Sequence, residues 1–513
     1  MANWLRGTWA ALFVVAACGG SGVTQAPNTA PHGAATERAD LHPGAVHRAE
    51  IAGPPQSPDG APLGPLRPYE SPSEPLRPDV RAEPETDVWL GAEAMSDSLL
   101  YGHTQQQVAI WVNVPPAMDA PRLPTTLTMT VDTSGSMRGK KLPAAQEAAR
   151  TVLDRLADGD IVALHSFSDS VRELFGLTEL DARSRQHLAW AVDRMRANGS
   201  TSLFEAARRA IDVAAAAPPS HPVRRVILIS DGRATSGPAS PSTLGQLAER
   251  GADRGVQITA LGIGLDYDER TLNALAQRSS GRLYHVESSY QLAGIIEREL
   301  ALLQRSRATD AYLEVVPAPD VVIDAPSFYR ASSGPGRALR IPLGSVFAGQ
   351  EREFIVRLRL RSGWTGRRAL LSVRLHYVDP AEGGLARVQE TVVRCNLTED
   401  EGLVRRSANP RAQAIASAWE AAELASEASQ AANSGDFNGA DARLQQAESR
   451  LHESARKTRS ASLRQRYEQS ARRLGAARSK VGQARSAPPA KRRSTSRAAA
   501  LESNDAAMDV VGY

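Results

Sequence analysis

Asp132, Ser134 and Ser136 form a D-x-S-x-S string directly behind Leu127-Thr128-Met129-Thr130-Val131. That apolar and β-branched run has the composition of a short, fully buried strand. Gly135 permits a tight turn between the two serines, and residues 140–157 read as a helix. One carboxylate and two hydroxyls therefore sit at a strand–loop–helix junction, where open α/β sheets bind their ligands. Carboxylate and hydroxyl oxygens are hard donors that suit Mg²⁺, Mn²⁺ or Ca²⁺ better than zinc.

Two further stretches add donors of the same kind. Gly199-Ser200-Thr201-Ser202-Leu203 opens another helix, and Val226-Ile227-Leu228-Ile229-Ser230-Asp231-Gly232 is a second apolar strand that ends in a carboxylate. With these three motifs in order, the chain resembles the von Willebrand factor type A domain and its metal-ion-dependent adhesion site. The resemblance implies that Asp132, Ser134, Ser136, Thr201 and Asp231 hold one divalent cation, directly or through water. Mg²⁺ is the first expectation, with Mn²⁺ or Ca²⁺ also suited. One octahedral position stays open for a carboxylate of a protein ligand. The plainer reading gives the aspartates to helix caps and the serines to a turn.

The elements that must position these residues follow from the alternation of strand and helix over residues 122–304. That rhythm predicts a mostly parallel sheet flanked by helices, and the resemblance implies a Rossmann-like α/β domain. Nothing in this region reads as a catalytic apparatus. His165 and His285 have no nucleophile spaced with them for a triad, and neither GxxxxGK[ST] nor GxGxxG occurs. No further acid or base is identifiable near the motifs, so the domain is expected to bind and not to catalyse.

Residues 309–397 change to short alternating strands separated by Gly and Pro turns, the pattern of a β-sandwich. Residues 341–350 are similar to a segment that follows the metal domain in bacterial adhesion-type lipoproteins, some of them labelled calcium-activated-chloride-channel-like, and in inter-alpha-trypsin-inhibitor heavy chains. The large domain that precedes the metal site in the heavy chains has no counterpart. Only residues 86–117 stand there, with one long alternating strand and two tryptophans, Trp89 and Trp111. Two strands are not stable alone in water. Residues 86–117 are therefore expected to join the 309–397 sandwich, so that the metal domain is an insertion in it.

Residues 403–484 are Ala-rich with good helix formers and read as a helical hairpin or bundle. Over residues 403–500 there are 19 Lys or Arg against 8 Asp or Glu. This surplus suits either a solvated helix surface or contact with anionic lipid or an anionic envelope polymer. Residues 485–513 are expected to be a disordered basic tail. The whole chain carries only +4, so no specific nucleic-acid partner is expected.

At the other end, Arg6 and the apolar residues 9–17 lead into Val15-Ala16-Ala17-Cys18. This reads as a lipoprotein signal over residues 1–18, with Cys18 as the lipidated residue. Gly19 in place of Asp favours the outer membrane by the enterobacterial rule. Residues 19–85, rich in Pro, Gly and Ala, read as a disordered tether. With Cys18 modified, Cys395 is left without a partner for a disulfide. No segment after the signal is long and apolar enough to span a bilayer as a helix.

The sequence thus predicts an envelope-tethered, non-enzymatic binding module that captures a ligand carboxylate through a bound cation. Three other roles fit the same residues. An assembly protein with a merely stabilising metal would keep its partner in EDTA. A metal-dependent hydrolase would turn over an ester or phosphate, and a channel-associated subunit would co-purify with a membrane partner.

Overall fold

The computed structural model describes residues 88–116, 122–231, 234–264, 267–286, 289–324, 331–361, 366–458 and 460–512. The signal, Cys18 and the tether lie outside the described residues, as does Gly232. The first strands are β1 (Trp89–Ala94), β2 (Ser98–Leu100) and β3 (Gln105–Asn113). Gly91 is required where β1 crosses Trp111 of β3, because a Cβ there would meet the indole ring at 2.2 Å.

The α/β domain begins with β4 (Thr125–Asp132), every residue of which is buried, as a central parallel strand requires. There follow α1 (Lys141–Arg155), β5 (Ile161–Phe167), β6 (Val171–Glu179), α2 (Ala182–Asp193), α3 (Leu203–Ala215) and β7 (Val223–Ser230). The domain closes with α4 (Pro241–Ala252), β8 (Val256–Ile263), α5 (Glu269–Arg278), β9 (Leu283–Val286) and α6 (Ser289–Gln304). The sheet runs β6-β5-β4-β7-β8-β9 and is parallel except for β6. Apolar cores lie against the helices.

One residue, Arg305, separates α6 from β10 (Ser306–Pro317). The chain continues through β11 (Val321–Ile323), β12 (Ser332–Ser333), β13 (Leu339–Phe347), β14 (Glu351–Leu360), β15 (Gly366–Asp379) and β16 (Leu385–Thr398). These strands form a sandwich together with the first three. One sheet is ordered β1-β3-β14-β11 and the other β12-β13-β10-β15-β16-β2. β3 pairs antiparallel with β14 from Asn113↔Glu351 to Gln105↔Arg359, so the α/β domain is spliced between β3 and β10.

After α7 (Glu401–Arg406) come four long helices: α8 (Pro410–Ser434), α9 (Phe437–Lys457), α10 (Ala461–Ser486) and α11 (Pro489–Val510). Each packs on the next and α11 returns to α8, closing a bundle. The last helix corrects the expectation of a disordered tail over residues 485–513. The basic run at Lys491-Arg492-Arg493 dominates the composition there. Behind it, Ala499, Ala500, Ser503, Ala506, Ala507 and Val510 recur at helical spacing and are all buried. A partner surface, invisible in one segment's composition, gives that stripe its burial.

The bundle is tied to the sandwich through Glu353 of β14, which has no exposed surface. Its carboxylate pairs with Arg466 and accepts from the Tyr467 hydroxyl at 3.1 Å, while its carbonyl accepts from the Trp419 indole at 3.1 Å. Arg466→Met strands that carboxylate without a cation, and the expected cost is about 3–5 kcal/mol. Urea unfolding of the two proteins measures it; a loss below about 1 kcal/mol contradicts the tie.

Candidate metal centre

The site is built by register. β4 and β7 are parallel neighbours, with Val131 opposite Ile229, so Asp132 and Ser230–Asp231 leave the carboxyl edge of the sheet side by side. After Asp132 the backbone turns through a short 3₁₀ segment, Gly135–Met137, and the Ser134 N–H donates to Asp132 Oδ1 at 2.8 Å. That bond brings the two serines back over the strand end. Their hydroxyl oxygens are 3.0 Å apart, and the Ser136 hydroxyl donates to Asp231 Oδ1 at 2.9 Å.

Thr201 arrives on a different loop. The Gly135 N–H donates to the Gly199 carbonyl at 2.9 Å, and the Asn198 N–H donates to the Thr133 carbonyl at 2.7 Å. The loop is braced by Asp169, whose Oδ1 accepts from the N–H and hydroxyl of Ser200 at 2.8 and 2.6 Å. Those bonds hold the exposed Asp169 carboxyl below its usual range. Gly199 sits at φ +81°, where a Cβ would also strike the Asp169 carboxylate at 2.3 Å, so both backbone and space demand glycine. Thr201 itself is buried, with its N–H donating to Thr235 Oγ1 at 2.8 Å.

The structure therefore joins Asp132, Ser134, Ser136 and Asp231 through direct side-chain or backbone bonds. Thr201 is placed beside them by its loop. Two partners escaped the sequence reading, which found no further acid or base at the motifs. The Ser230 hydroxyl donates to Asp132 Oδ2 at 2.5 Å, and the Lys141 ammonium meets Asp231 Oδ2 at 2.8 Å. Ser230 was legible as the residue before the strand-end carboxylate; Lys141 is one of several basic residues at the start of α1, and only the fold selects it.

The electrostatics of the two carboxylates differ. Asp231 has the Lys141 charge beside it. Asp132 is fully buried, and its hydrogen-bond partners are a backbone N–H and a hydroxyl, with no cation among them. Burial pushes its carboxyl up to about 6; bonds from Ser230 and Ser134 pull it down less, and the nearby Asp231 charge adds to the rise. Among the described residues no three His, Cys, Asp or Glu groups cluster as metal ligands, so hydroxyls must complete any cation shell. Two carboxylates and hydroxyl oxygens at a strand end, one carboxylate buried without a counter-charge, fit a hard divalent cation.

Residues 127–298 match the von Willebrand factor type A domain. The chain carries a von Willebrand factor type A domain. A solved structure titled von Willebrand factor type A from Catenulispora acidiphila is 20% identical, with a TM-score of 0.66 over 84% of this chain and 98% of that one. At this identity the likeness is one of fold, and its extent takes in more than the A domain. Inter-alpha-trypsin inhibitor heavy chain H2 of Sus scrofa is 27% identical over 192 residues, 36% of this chain and 20% of its own. The E3 ubiquitin-protein ligase WAV3 of Arabidopsis thaliana is 23% identical over 363 residues, 68% of this chain and 47% of its own. The chain spans less than two thirds of the length of the curated relatives it matches. A domains typically mediate protein interactions and adhesion, and commonly bind a divalent cation.

The Asp132 environment has a measurable consequence for stability. A carboxyl whose folded pKa lies near 6, above its usual 3.8, contributes stability that is full below the unfolded value and lost as pH rises through the folded one. In EDTA, the stability of wild type relative to Asp132→Asn should therefore fall by about 2–3 kcal/mol between roughly pH 4 and 7.5. Denaturant unfolding across that range checks it, and a difference independent of pH contradicts the burial argument.

Proposed function

We propose that the A domain captures an acidic protein ligand through one divalent cation held by Asp132, Ser134, Ser136, Thr201 and Asp231. The observation that supports this most is the buried Asp132 carboxylate, which has hydrogen-bond donors but no cation, beside hydroxyls that bond to one another. A bound Mg²⁺, Mn²⁺ or Ca²⁺ supplies Lewis-acid attraction for a ligand carboxylate, giving a contact that exists only with the metal present. The chain's own residues do the rest. Ser134 and Ser136 offer their oxygens once their mutual bonds are exchanged. Lys141 holds Asp231 in place, and Asp169 fixes the Thr201 loop.

The surface beside the site supports an acidic partner. A cleft of 660 Å³ is lined by Thr133 and Asn198, from the site loops, and by Arg172, Trp190, Arg194 and Arg196. Trp190 is 61% exposed and carries the Arg194 guanidinium 4.5 Å from its ring centroid. An exposed tryptophan beside arginines is the composition of an interaction hot spot, and its positive charge would favour an acidic surface.

Calorimetry on the full chain should give a single Mg²⁺ or Mn²⁺ site, absent in Asp132→Ala. That variant relieves a buried carboxylate and so should remain folded. Retention from cell-envelope extract should require Mg²⁺ and be lost in EDTA. An unchanged isotherm in Asp132→Ala rejects the cation site, whereas partner retention in EDTA favours the assembly role.

The protein is proposed to act from the envelope surface, lipid-anchored at Cys18 through the tether. Among the described residues no helix is long and apolar enough to cross a membrane, so a lipid would supply the attachment. Labelled palmitate should enter wild type and not Cys18→Ser; equal labelling of both removes the anchor.

A further inference from the structure

Arg225 lies at the opposite end of β7 from Asp231. It sits in register between Leu127 of β4 and Gln257 of β8 and is 4% exposed. Among the described residues its guanidinium makes no hydrogen bond or ion pair, and its Nε is buried without a partner. The nearest counter-charge is Glu299 of α6, which acts on it only through space. Both Glu299 oxygens are engaged elsewhere: Oε2 accepts from the Thr259 hydroxyl at 2.7 Å and Oε1 from the Tyr284 hydroxyl at 2.5 Å. The Phe347 ring centroid lies 5.8 Å from the guanidinium carbon.

An arginine cannot shed its proton in a protein, and a buried charge without a partner destabilises the fold. Arg225 lines a cavity of 480 Å³ where the A domain, the β13–β14 turn and α10 meet. Burial acts against its charge there, and an anion bonded to the guanidinium would offset that cost. Arg305, the one-residue link between α6 and β10, faces the same cavity. It too makes no ion pair among the described residues. The other charged groups in the wall are Glu299, Arg282, Arg352, Glu351 and Arg466. Arg282 is paired with Asp509 at 2.6 Å, and Arg466 with Glu351 and Glu353. Arg352 donates to the Leu343 carbonyl at 2.7 Å.

A second cavity, of 980 Å³, shares Arg282, Tyr284, Leu302 and Arg305 with the first, and there Arg298, Arg473 and Lys480 stand among the carboxylates of Glu297, Glu502, Asp505 and Asp509. The volume falls in the range of small-molecule sites, which favour domain junctions. Guanidinium forks presented from separate elements recognise tetrahedral and planar oxyanions bidentately. We infer that the junction cavity walled by Arg225 and Arg305 is a binding site for a small, multiply charged oxyanion of the phosphate class. This site stands apart from the cation site and does not depend on it.

The probe is inorganic pyrophosphate, added to the full chain in EDTA and compared with sodium chloride at matched ionic strength. Wild type should bind it in calorimetry and unfold at higher temperature than in chloride. Arg225→Met removes an unpaired buried charge, so without the anion it should melt at or above the wild-type temperature, and it should lose the pyrophosphate response. Arg305→Gln alters an exposed side chain, so it should fold as wild type does while its affinity falls roughly tenfold or more. Equal responses to pyrophosphate and chloride overturn the proposal, as does unchanged affinity in Arg305→Gln. So does a folded Arg225→Met that still binds. Should Arg225→Met fail to fold, the Arg305→Gln isotherm decides.

Discussion

Parallel pairing of β4 with β7 is the constraint from which the site follows. A parallel ladder puts equivalent strand ends on the same edge of the sheet, and the register of Val131 with Ile229 makes Asp132 and Asp231 neighbours although 98 residues of chain lie between them. A slip of one residue would turn the side chains of one strand to the other face. Every later feature of the site, from the serine turn to the contact with the Thr201 loop, is attached to those two strand ends.

The protein deals with buried charge in four ways. Asp231 is given Lys141, and Glu353 is given Arg466 with a tyrosine hydroxyl. Asp132 receives only neutral donors, which leaves its carboxylate needing positive charge. The Arg225 guanidinium makes no hydrogen bond or ion pair among the described residues. The first two arrangements are self-contained and hold the structure together. The last two are incomplete, of opposite sign, and at opposite edges of the parallel sheet, Asp132 at the carboxyl end of β4 and Arg225 near the amino end of β7. Incomplete charge in a buried place is where a ligand changes the free energy most.

The splice of the A domain into the sandwich gives α6 a mechanical connection. It ends at Gln304 and β10 begins at Ser306, so the helix is joined through one residue to a strand paired on both sides. The far end of the chain reaches the same region, because Arg282 of the A domain is paired with Asp509 of α11 and Arg497 donates to the Tyr267 carbonyl at 2.9 Å. The bundle therefore braces the A domain both at Arg282, ahead of β9, and at Tyr267, beyond the carboxyl end of β8.

Sequence alone determined the α/β rhythm, the strand ends carrying Asp132 and Asp231, and the hydroxyl-bearing turn. Buried strands declare themselves by unbroken apolar runs, and a carboxylate that closes such a run has a place to be only at its edge. The residues it did not determine are those whose role depends on neighbours distant in the chain. Lys141 is one lysine among several until α1 sets it against Asp231. The small residues of α11 describe a helix stripe only once α8 and α10 offer a surface to cover it. Arg225 reads as a charge at the mouth of a strand. That it is buried, and that nothing among the described residues bonds to its guanidinium, was decided only when three units packed around it, because burial and pairing are properties of the assembled neighbours and not of the residue.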